Sequence, residues 1–504
     1  MLGFPYLQKF IFLLTIDCNP CILLPSGLQK KFNNFFLLAQ GGFMVREREI
    51  LPRMDSVGFG GGAFGDEGKG RVVDEQVDRL AQEAEEVVVY RANGGANAGH
   101  TIELPDGKRV ALHQIPSGFR TENATLVLGK GMAIHPGDLV EELRQLSEVS
   151  GGRIPAEVWI DEKAILLSDA DRAWEKALKI KGVAKGATGR GIGPAYADYY
   201  LRNGLQIRDL FDFDEGKLAG QYTYYESIIA GLTGMELSQI EVPSLQGDVK
   251  VGSLTDYLSR LERQRETLVP YCRNVIELLR KGWADEKIAF VFEQAQAIGL
   301  DPWFGVYPDV TASRTSCEAI FESTEGVVDP REIEHRTGVI KATYMSSVGT
   351  RKLPTMMEEK LANRLREDNN EHGATTGRDR DIVYLDLEVL RFFARAGKFN
   401  CLVLTHMDCV YPDVPIKVCV GYRDRISRQV AYYSPDQVTL DKVEPVYVEF
   451  NPWNREEVQK ARNYDELPKE AKTYLQFISE NLELPIWMIT TGPRKGQGIV
   501  FEGV

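Results

Sequence analysis

Val57-Gly58-Phe59-Gly60-Gly61-Gly62-Ala63-Phe64-Gly65-Asp66-Glu67-Gly68-Lys69-Gly70 opens on an apolar start, passes through a glycine-rich turn and runs into the helical pattern Val72-Val73…Val77…Leu80. Strand, glycine turn and helix in that order build a cradle for an anion. The glycines let backbone N–H groups approach and wrap it, and the helix N-terminus adds its dipole. Lys69 supplies a point charge for phosphate. The Walker A pattern GxxxxGK[ST] is not met, because Ala63 stands five residues before Gly68 and Gly70 follows Lys69. Without a Ser or Thr after the lysine, a switch-type GTPase is disfavoured. A purely structural glycine turn is the plain alternative, and Asp66 and Glu67 argue against it. Carboxylates inside an anion cradle repel phosphate unless one binds a metal or takes a proton.

Short apolar runs recur along the chain: Val87–Tyr90, Leu126–Leu128, Ile288–Phe292 and Leu402–Leu404. Such runs suit strands of a parallel sheet covered on both faces. The expected fold class is α/β, with a large mostly parallel central sheet, a P-loop-NTPase-like nucleotide site, and helical and small β insertions. Residues 206–285 carry helical patterns, the longest from Leu254 to Lys281; residues 415–450 alternate like strands. A helix from about Lys469 to Asn481 leads into a last buried strand, Ile486–Ile489. Ligand groups of open parallel sheets sit at the carboxyl ends of strands. One such loop is Arg91-Ala92-Asn93-Gly94-Gly95-Ala96-Asn97-Ala98-Gly99-His100-Thr101, directly after Val87–Tyr90. His100 can donate a proton to a leaving oxygen and Asn97 offers an amide to a heterocycle, unless this is an ordinary surface loop.

The 504 residues carry 60 Lys and Arg against 73 Asp and Glu, a formal charge of −13. An acidic body is poorly suited to phosphate backbones, so nucleic acid is not an expected partner, though a local basic pocket still admits a small anion. The 22 Phe, 20 Tyr and 6 Trp supply ample core, which sets disorder aside. Seven cysteines include one isolated CxxC, Cys18–Cys21, and no second unit for a structural zinc site. They read as reduced thiols of a cytoplasmic protein. In residues 1–43 the apolar run Phe10–Leu14 is stopped by Asp17 and Pro20 well short of the about 20 residues of a membrane span, and no signal-cleavage site follows. That segment is expected to be an extension outside the mature protein, with an unusual targeting segment as the alternative. Residues 54–504 are expected to form one elaborated domain with a mainly helical insertion at about 206–285.

Gly65-Asp66-Glu67-Gly68-Lys69-Gly70, followed by Asn97-Ala98-Gly99-His100-Thr101, resembles the adenylosuccinate synthetase family, and the likeness continues. Leu112-His113-Gln114-Ile115-Pro116-Ser117-Gly118 is similar to the family's LHxxPSG stretch, and Gly186–Tyr196 to GTTGRGIGPAY with one change. Phe292-Glu293-Gln294-Ala295-Gln296 resembles FEGAQ, and Tyr307–Thr311 resembles YPxVT. Gly373-Ala374-Thr375-Thr376-Gly377-Arg378 reproduces GATTGR, Leu404-Thr405-His406-Met407-Asp408 resembles LTKLD, and Thr491-Gly492-Pro493 recurs near the end. Each motif alone is weak; their collinear order from about Ser56 to Val500 is specific.

The resemblance implies a ligase that joins IMP to L-aspartate with GTP hydrolysis. Adenylosuccinate would form through 6-phosphoryl-IMP, in the first committed step from IMP to AMP, with Mg²⁺ as cofactor. It implies Asp66 as base at N1 of IMP, His100 as acid, and Asp66 with the Gly99 carbonyl as Mg²⁺ ligands. Around GTP it implies Gly65, Asp66, Glu67, Gly68, Lys69, Gly70, Arg71, Gly99, His100, Thr101, Arg380, His406, Met407, Asp408, Thr490, Thr491 and Gly492. Around IMP it implies Asp66, Glu67, Gly68, Lys69, Asn97, Ala98, Gly99, His100, Thr188, Arg202, Gln296, Thr311 and Arg378. Around aspartate it implies Ala374, Thr375, Thr376, Gly377, Arg378, Asp379 and Arg380. Arg202 aligns with an arginine that reaches the IMP phosphate of the neighbouring subunit, which implies a homodimer; an ordinary surface arginine is the alternative. Asp408 should select guanine, since a carboxylate accepts from N1–H and the 2-amino group together, a donor pair adenine lacks.

Several positions depart from the family pattern. Ala63 replaces Gln, Ala187 replaces Thr, Gln294 and Ala297 replace glycines, and Arg314 replaces Asn. Asp379 and Asp381 replace basic residues, and His406 replaces the lysine of the base-binding motif, where a histidine ring can stack. Two alternatives follow: the same chemistry with another purine or with ATP as donor, or a nucleotide-binding regulator that has lost turnover.

Overall fold

The computed structural model describes residues 52–97, 99–103, 109–183, 186–372 and 379–501. Residues 1–43 lie outside them. Ten strands form the central sheet: β1 (Arg53–Gly61), β2 (Glu86–Arg91), β3 (Ala124–Leu128), β4 (Glu157–Asp161), β5 (Cys272–Arg273), β6 (Ile288–Glu293), β7 (Ile333–Lys341), β8 (Cys401–Thr405), β9 (Ile486–Thr490) and β10 (Gly498–Val500). Their spatial order is β5-β4-β3-β2-β6-β1-β7-β8-β9-β10. Every neighbouring pair is parallel except β9 with β10. The chain is thus α/β, built on a large, mostly parallel sheet.

Burial on both faces explains the unbroken apolar runs. In β2, Val87 and Val89 join one core with Val72 and Val77 of helix α1 (Lys69–Leu80), while Val88 and Tyr90 join Phe290 and Phe292 on the opposite face. Helix α1 follows β1 directly and buries Val72, Val73, Val77 and Leu80 at helical spacing. It is capped by Gly68 at φ +78°, a left-handed conformation that glycine adopts without strain.

The pattern from Leu254 to Lys281 is two helices, Leu254–Leu268 and Val275–Trp283, not one. Pro270 ends the first, a 3₁₀ turn and β5 intervene, and Asn274 caps the second by accepting from Glu277 N at 3.2 Å. A two-stranded hairpin, Glu241–Ser244 with Gly247–Lys250, also interrupts the helices of this region. Within 415–450, Ile416–Asp424 and Val443–Phe450 pair antiparallel as part of a second, five-stranded sheet. A helix at Lys469–Leu482 precedes β9, which is followed by the short antiparallel β10. Among the described residues all five cysteines are free thiols, and no helix is long and apolar enough to cross a membrane.

Candidate active site

Sheet order gathers the carboxyl ends of β2, β6, β1, β7, β8 and β9 along one rim, with the glycine turn after β1 near the middle. Within that turn the Glu67 carboxylate accepts from Gly65 N at 2.6 Å and from Lys69 Nζ at 2.7 Å. Glu67 is 2% exposed, so its charge is spent inside the loop, holding the turn and aiming Lys69. Thr405, the last residue of β8, donates to the Glu67 carbonyl at 2.7 Å and fixes the turn from the other side. Asp66 is held differently: its Oδ2 accepts from Arg380 Nε at 3.1 Å. Burial works to raise the Asp66 pKa, but Lys341 and Arg380 outweigh it and hold the carboxyl below its ordinary range. One carboxylate of the pair is therefore structural, and the other is ionised and aimed at arginine.

His100 comes from the loop after β2, at the start of the strand His100–Glu103. Its ring lies against Gly70, where a Cβ would meet His100 Cδ2 at 2.4 Å; any side chain there displaces the imidazole. Nε2 is 3.1 Å from Ser117 Oγ and 3.5 Å from Glu293 Oε1, and the same glutamate accepts from Ser117 N at 2.8 Å through Oε2. A helix, a strand end and a loop thus fix one imidazole beside the first turn of α1. On the same side, Gln296 Nε2 donates to Asn97 Oδ1 at 3.4 Å and Gln296 Oε1 accepts from Ser313 Oγ at 3.2 Å, linking the loops after β2 and β6.

The loop after β8 turns at His406, whose φ is +60°. His406 N donates to Thr490 Oγ1 at 3.1 Å, and Met407 N donates to the Thr490 carbonyl, also at 3.1 Å. The imidazole lies against Gly68 and edge-on to Tyr344, with Nδ1 2.9 Å from Thr405 Oγ1. Burial, with Lys341 nearby, pushes its pKa down to about 3, so the ring is neutral and brings no cation to the place the family fills with lysine. Asp408 is 5% exposed; its Oδ2 accepts from Gln459 Nε2 at 2.9 Å and lies 3.6 Å from Arg455 NH2. The loop after β9 is tied to α1 as well: Arg71 NH2 donates to the Arg494 carbonyl at 2.7 Å, Lys495 pairs with Asp78, and Thr491 N bonds the Gln497 carbonyl at 2.8 Å.

A family model described as adenylosuccinate synthetase matches residues 60–499. The chain belongs to the adenylosuccinate synthetase family. It is 34% identical over 444 residues to the adenylosuccinate synthetase of Caldicellulosiruptor saccharolyticus, covering 88% of this chain and 98% of that one. It is 33% identical over 455 residues to that of Magnetococcus marinus, covering 89% and 99%. The solved structure of the fully ligated Plasmodium falciparum adenylosuccinate synthetase aligns with TM-score 0.77 at 28% identity, over 89% of this chain and all of that one. A cyanophage S-2L succinoaminodeoxyadenylate synthetase shares the fold, with TM-score 0.51 at 14% identity over 88% of this chain and 94% of that one. Membership makes this chain an enzyme, a ligase of purine biosynthesis that forms adenylosuccinate.

Of the residues the family pattern singles out, the structure brings together Glu67 with Lys69, Asp66 with Arg380, His100 with Gly70, Asn97 with Gln296, and His406 and Met407 with Thr490. Thr311 sits on the loop after β6 and bonds the Leu300 carbonyl through its N–H at 2.7 Å. Thr188 lies in the segment before the helix Ile192–Leu201, near which a Cβ on Gly186 would be 3.6 Å from Asp309 Oδ1. Arg202 ends that helix in left-handed conformation, is exposed, and follows exposed Tyr200 and Leu201. Asp379 pairs with His372 at 2.9 Å. Ala98 and Ala374–Arg378 lie outside the described residues, as does the side chain of Thr101. Motif reading passed over Lys341, which ends β7 at 3% exposure and pairs with Glu371, 2% exposed, just ahead of residues 373–378. A lysine closing a buried strand is the signal that would have found it.

Proposed function

We propose that the chain joins IMP to L-aspartate at the cost of GTP, through 6-phosphoryl-IMP, with the site described above. Asp66 takes the N1 proton of IMP, which leaves O6 nucleophilic; O6 attacks the γ-phosphorus of GTP, and the bond to the β-phosphate oxygen breaks. His100, fixed by Ser117 and Glu293, donates its proton where charge builds on the transferring group. The aspartate amine then adds at C6 and inorganic phosphate leaves, so that IMP, aspartate and GTP become adenylosuccinate, GDP and phosphate. Lys69 and the Gly65–Arg71 loop hold phosphate oxygens, Asp408 reads guanine, and Arg202 reaches the IMP phosphate of a second subunit in a homodimer. Residues 54–504 carry this activity, in the cytoplasm.

Mg²⁺ suits the residues present. Among the described residues no three His, Cys, Asp or Glu gather into a metal cage. One carboxylate, Asp66, with the Gly99 carbonyl is the sparse set expected for an ion that takes its other ligands from water and phosphate. When bound, the ion neutralises charge on the nucleotide oxygens.

The observations that carry this reading are an Asp66 held by Arg380 in the turn that leads into α1 and a His100 packed on Gly70 in the first turn of that helix. Incubation with IMP, aspartate, Mg²⁺ and either GTP or ATP, followed by assay of adenylosuccinate and phosphate, tests it. GTP should support product formation. Absence of product with either donor would sink the reading, and ATP serving at least as well as GTP would remove Asp408 as the selector.

A further inference from the structure

The short helix Arg455–Lys460 lies against the loop that carries Asp408, and nothing in the mechanism above employs it. Asn454 caps it, accepting from Glu456 N at 2.9 Å and Glu457 N at 3.3 Å, and Val458 anchors it, fully buried. Trp453 Nε1 donates to the Met407 carbonyl at 2.7 Å, which fastens this segment to the residue preceding Asp408. From the helix, Gln459 Nε2 reaches Asp408 Oδ2 at 2.9 Å and Arg455 NH2 stands 3.6 Å from the same oxygen. Both contacts fall on Oδ2, and no side chain of the described residues bonds Oδ1.

We propose that Gln459 is a positioning residue that sets base selection by locking the plane of the Asp408 carboxylate. This rests on the reading of Asp408 as the guanine contact. The terminal torsion of an aspartate is broad, so an untethered carboxylate samples many planes. Accepting from N1–H and from the 2-amino group at once requires both oxygens in the plane of the base; accepting from N1–H alone does not. A tether on one oxygen removes that rotation before the nucleotide arrives, and preorganisation of this kind strengthens two-point recognition without adding a contact to the ligand. Gln459 therefore acts on nucleotides bearing a 2-amino group and is nearly neutral for those lacking it.

GTP and ITP separate these cases, since inosine keeps N1–H and lacks the 2-amino group. Gln459→Met preserves the stem and removes the amide. The KM for GTP should rise about tenfold, the equivalent of about 1.4 kcal/mol, while the KM for ITP changes by less than about twofold. The kcat and the KM values for IMP and aspartate should stay near wild type. A merely structural role would move GTP and ITP together, and an unchanged GTP-to-ITP ratio overturns the proposal. Should Gln459→Met also lose kcat and IMP affinity, as a damaged fold would, Arg455→Met supplies the reading from an exposed position. The ratio of the KM for GTP to that for ITP must rise there too, and an unchanged ratio again overturns the proposal. A wild-type enzyme without preference for GTP over ITP would refute the assignment of Asp408 itself, a result distinguishable from failure of the Gln459 variant alone.

Discussion

A methyl group added at Gly70 would stand 2.4 Å from His100 Cδ2, 2.9 Å from Cγ and 3.1 Å from Cβ. Carbon atoms rest about 3.5–4.0 Å apart, so in Gly70→Ala the imidazole has to retreat by about 1 Å. Helix α1 should tolerate the change, because alanine is favoured over glycine in a helix by about 0.5–1 kcal/mol. The expected protein is folded, at least as stable as wild type, and carries a misplaced acid. A displacement of about 1 Å costs about 100-fold in rate, and general acid catalysis contributes about 10²–10⁴-fold in total. We therefore expect kcat to fall about 100-fold, about 2.7 kcal/mol of barrier. Initial rates of adenylosuccinate formation at saturating IMP, GTP and aspartate measure it, with thermal unfolding of the same preparations alongside. His100→Asn should remove more activity in the wild-type background than in Gly70→Ala, since both changes strike one group. A Gly70→Ala enzyme within about threefold of wild-type kcat, well inside the general-acid contribution, would refute the placement of His100 as the acid.

Lys341→Met leaves Glu371 charged, buried and short of its partner, so unfolding in denaturant should show a loss of about 3–5 kcal/mol, and the double variant Lys341→Met/Glu371→Gln should recover more than half of it. A loss below about 1 kcal/mol would show that the pair is not needed for the fold. Arg202→Leu and Asp66→Asn should each be nearly inactive alone, but mixed and re-formed they should regain about a quarter of wild-type activity, because half the dimers are mixed and each holds one intact site; no recovery would refute a shared site. His113, 8% exposed, has its pKa pushed down to about 4 by burial and by Arg190, so it is neutral in the fold while the unfolded chain takes a proton below about 6.5. The unfolded state then binds more protons, so stability should fall as pH drops from about 6.5 towards 4, by up to about 1.4 kcal/mol per unit. His113→Gln should flatten that limb, and an unchanged slope would remove His113 as its source.

The parts of the site legible in the sequence are those where one short motif carries both backbone and chemistry. Gly68 needs its left-handed φ and Gly70 its missing side chain within three residues of each other, and His100 closes a glycine loop directly behind a strand. Runs such as Val87–Tyr90 announce strands because both faces are covered, leaving no polar alternation to obscure them. What stayed hidden depends on tertiary proximity. Arg380 meets Asp66 across 314 residues, Gln459 meets Asp408 across 51, and Lys341 meets Glu371 across 30. No local spacing marks such pairs. The helix–helix break at Pro270 was legible in principle, but apolar periodicity on either side masked it.

The sheet also acts as a ruler. Neighbouring strands stand about 4.8 Å apart, so from the phosphate turn after β1 to the His406–Asp408 loop after β8 is about 10 Å, and to the Thr490 loop after β9 about 14 Å. The other way, the Gln296 loop after β6 lies one spacing off and the Asn97–His100 loop after β2 two. On the proposed reading one nucleotide lies along each arm, with the reacting ends brought together over β1. Length then becomes a criterion of its own, enforced by strand order and not by any single contact. A guanosine diphosphate held by its base over β8 and β9 stops one phosphate short of the centre. It should occupy the arm, exclude the triphosphate and leave the graduation over β1 blank.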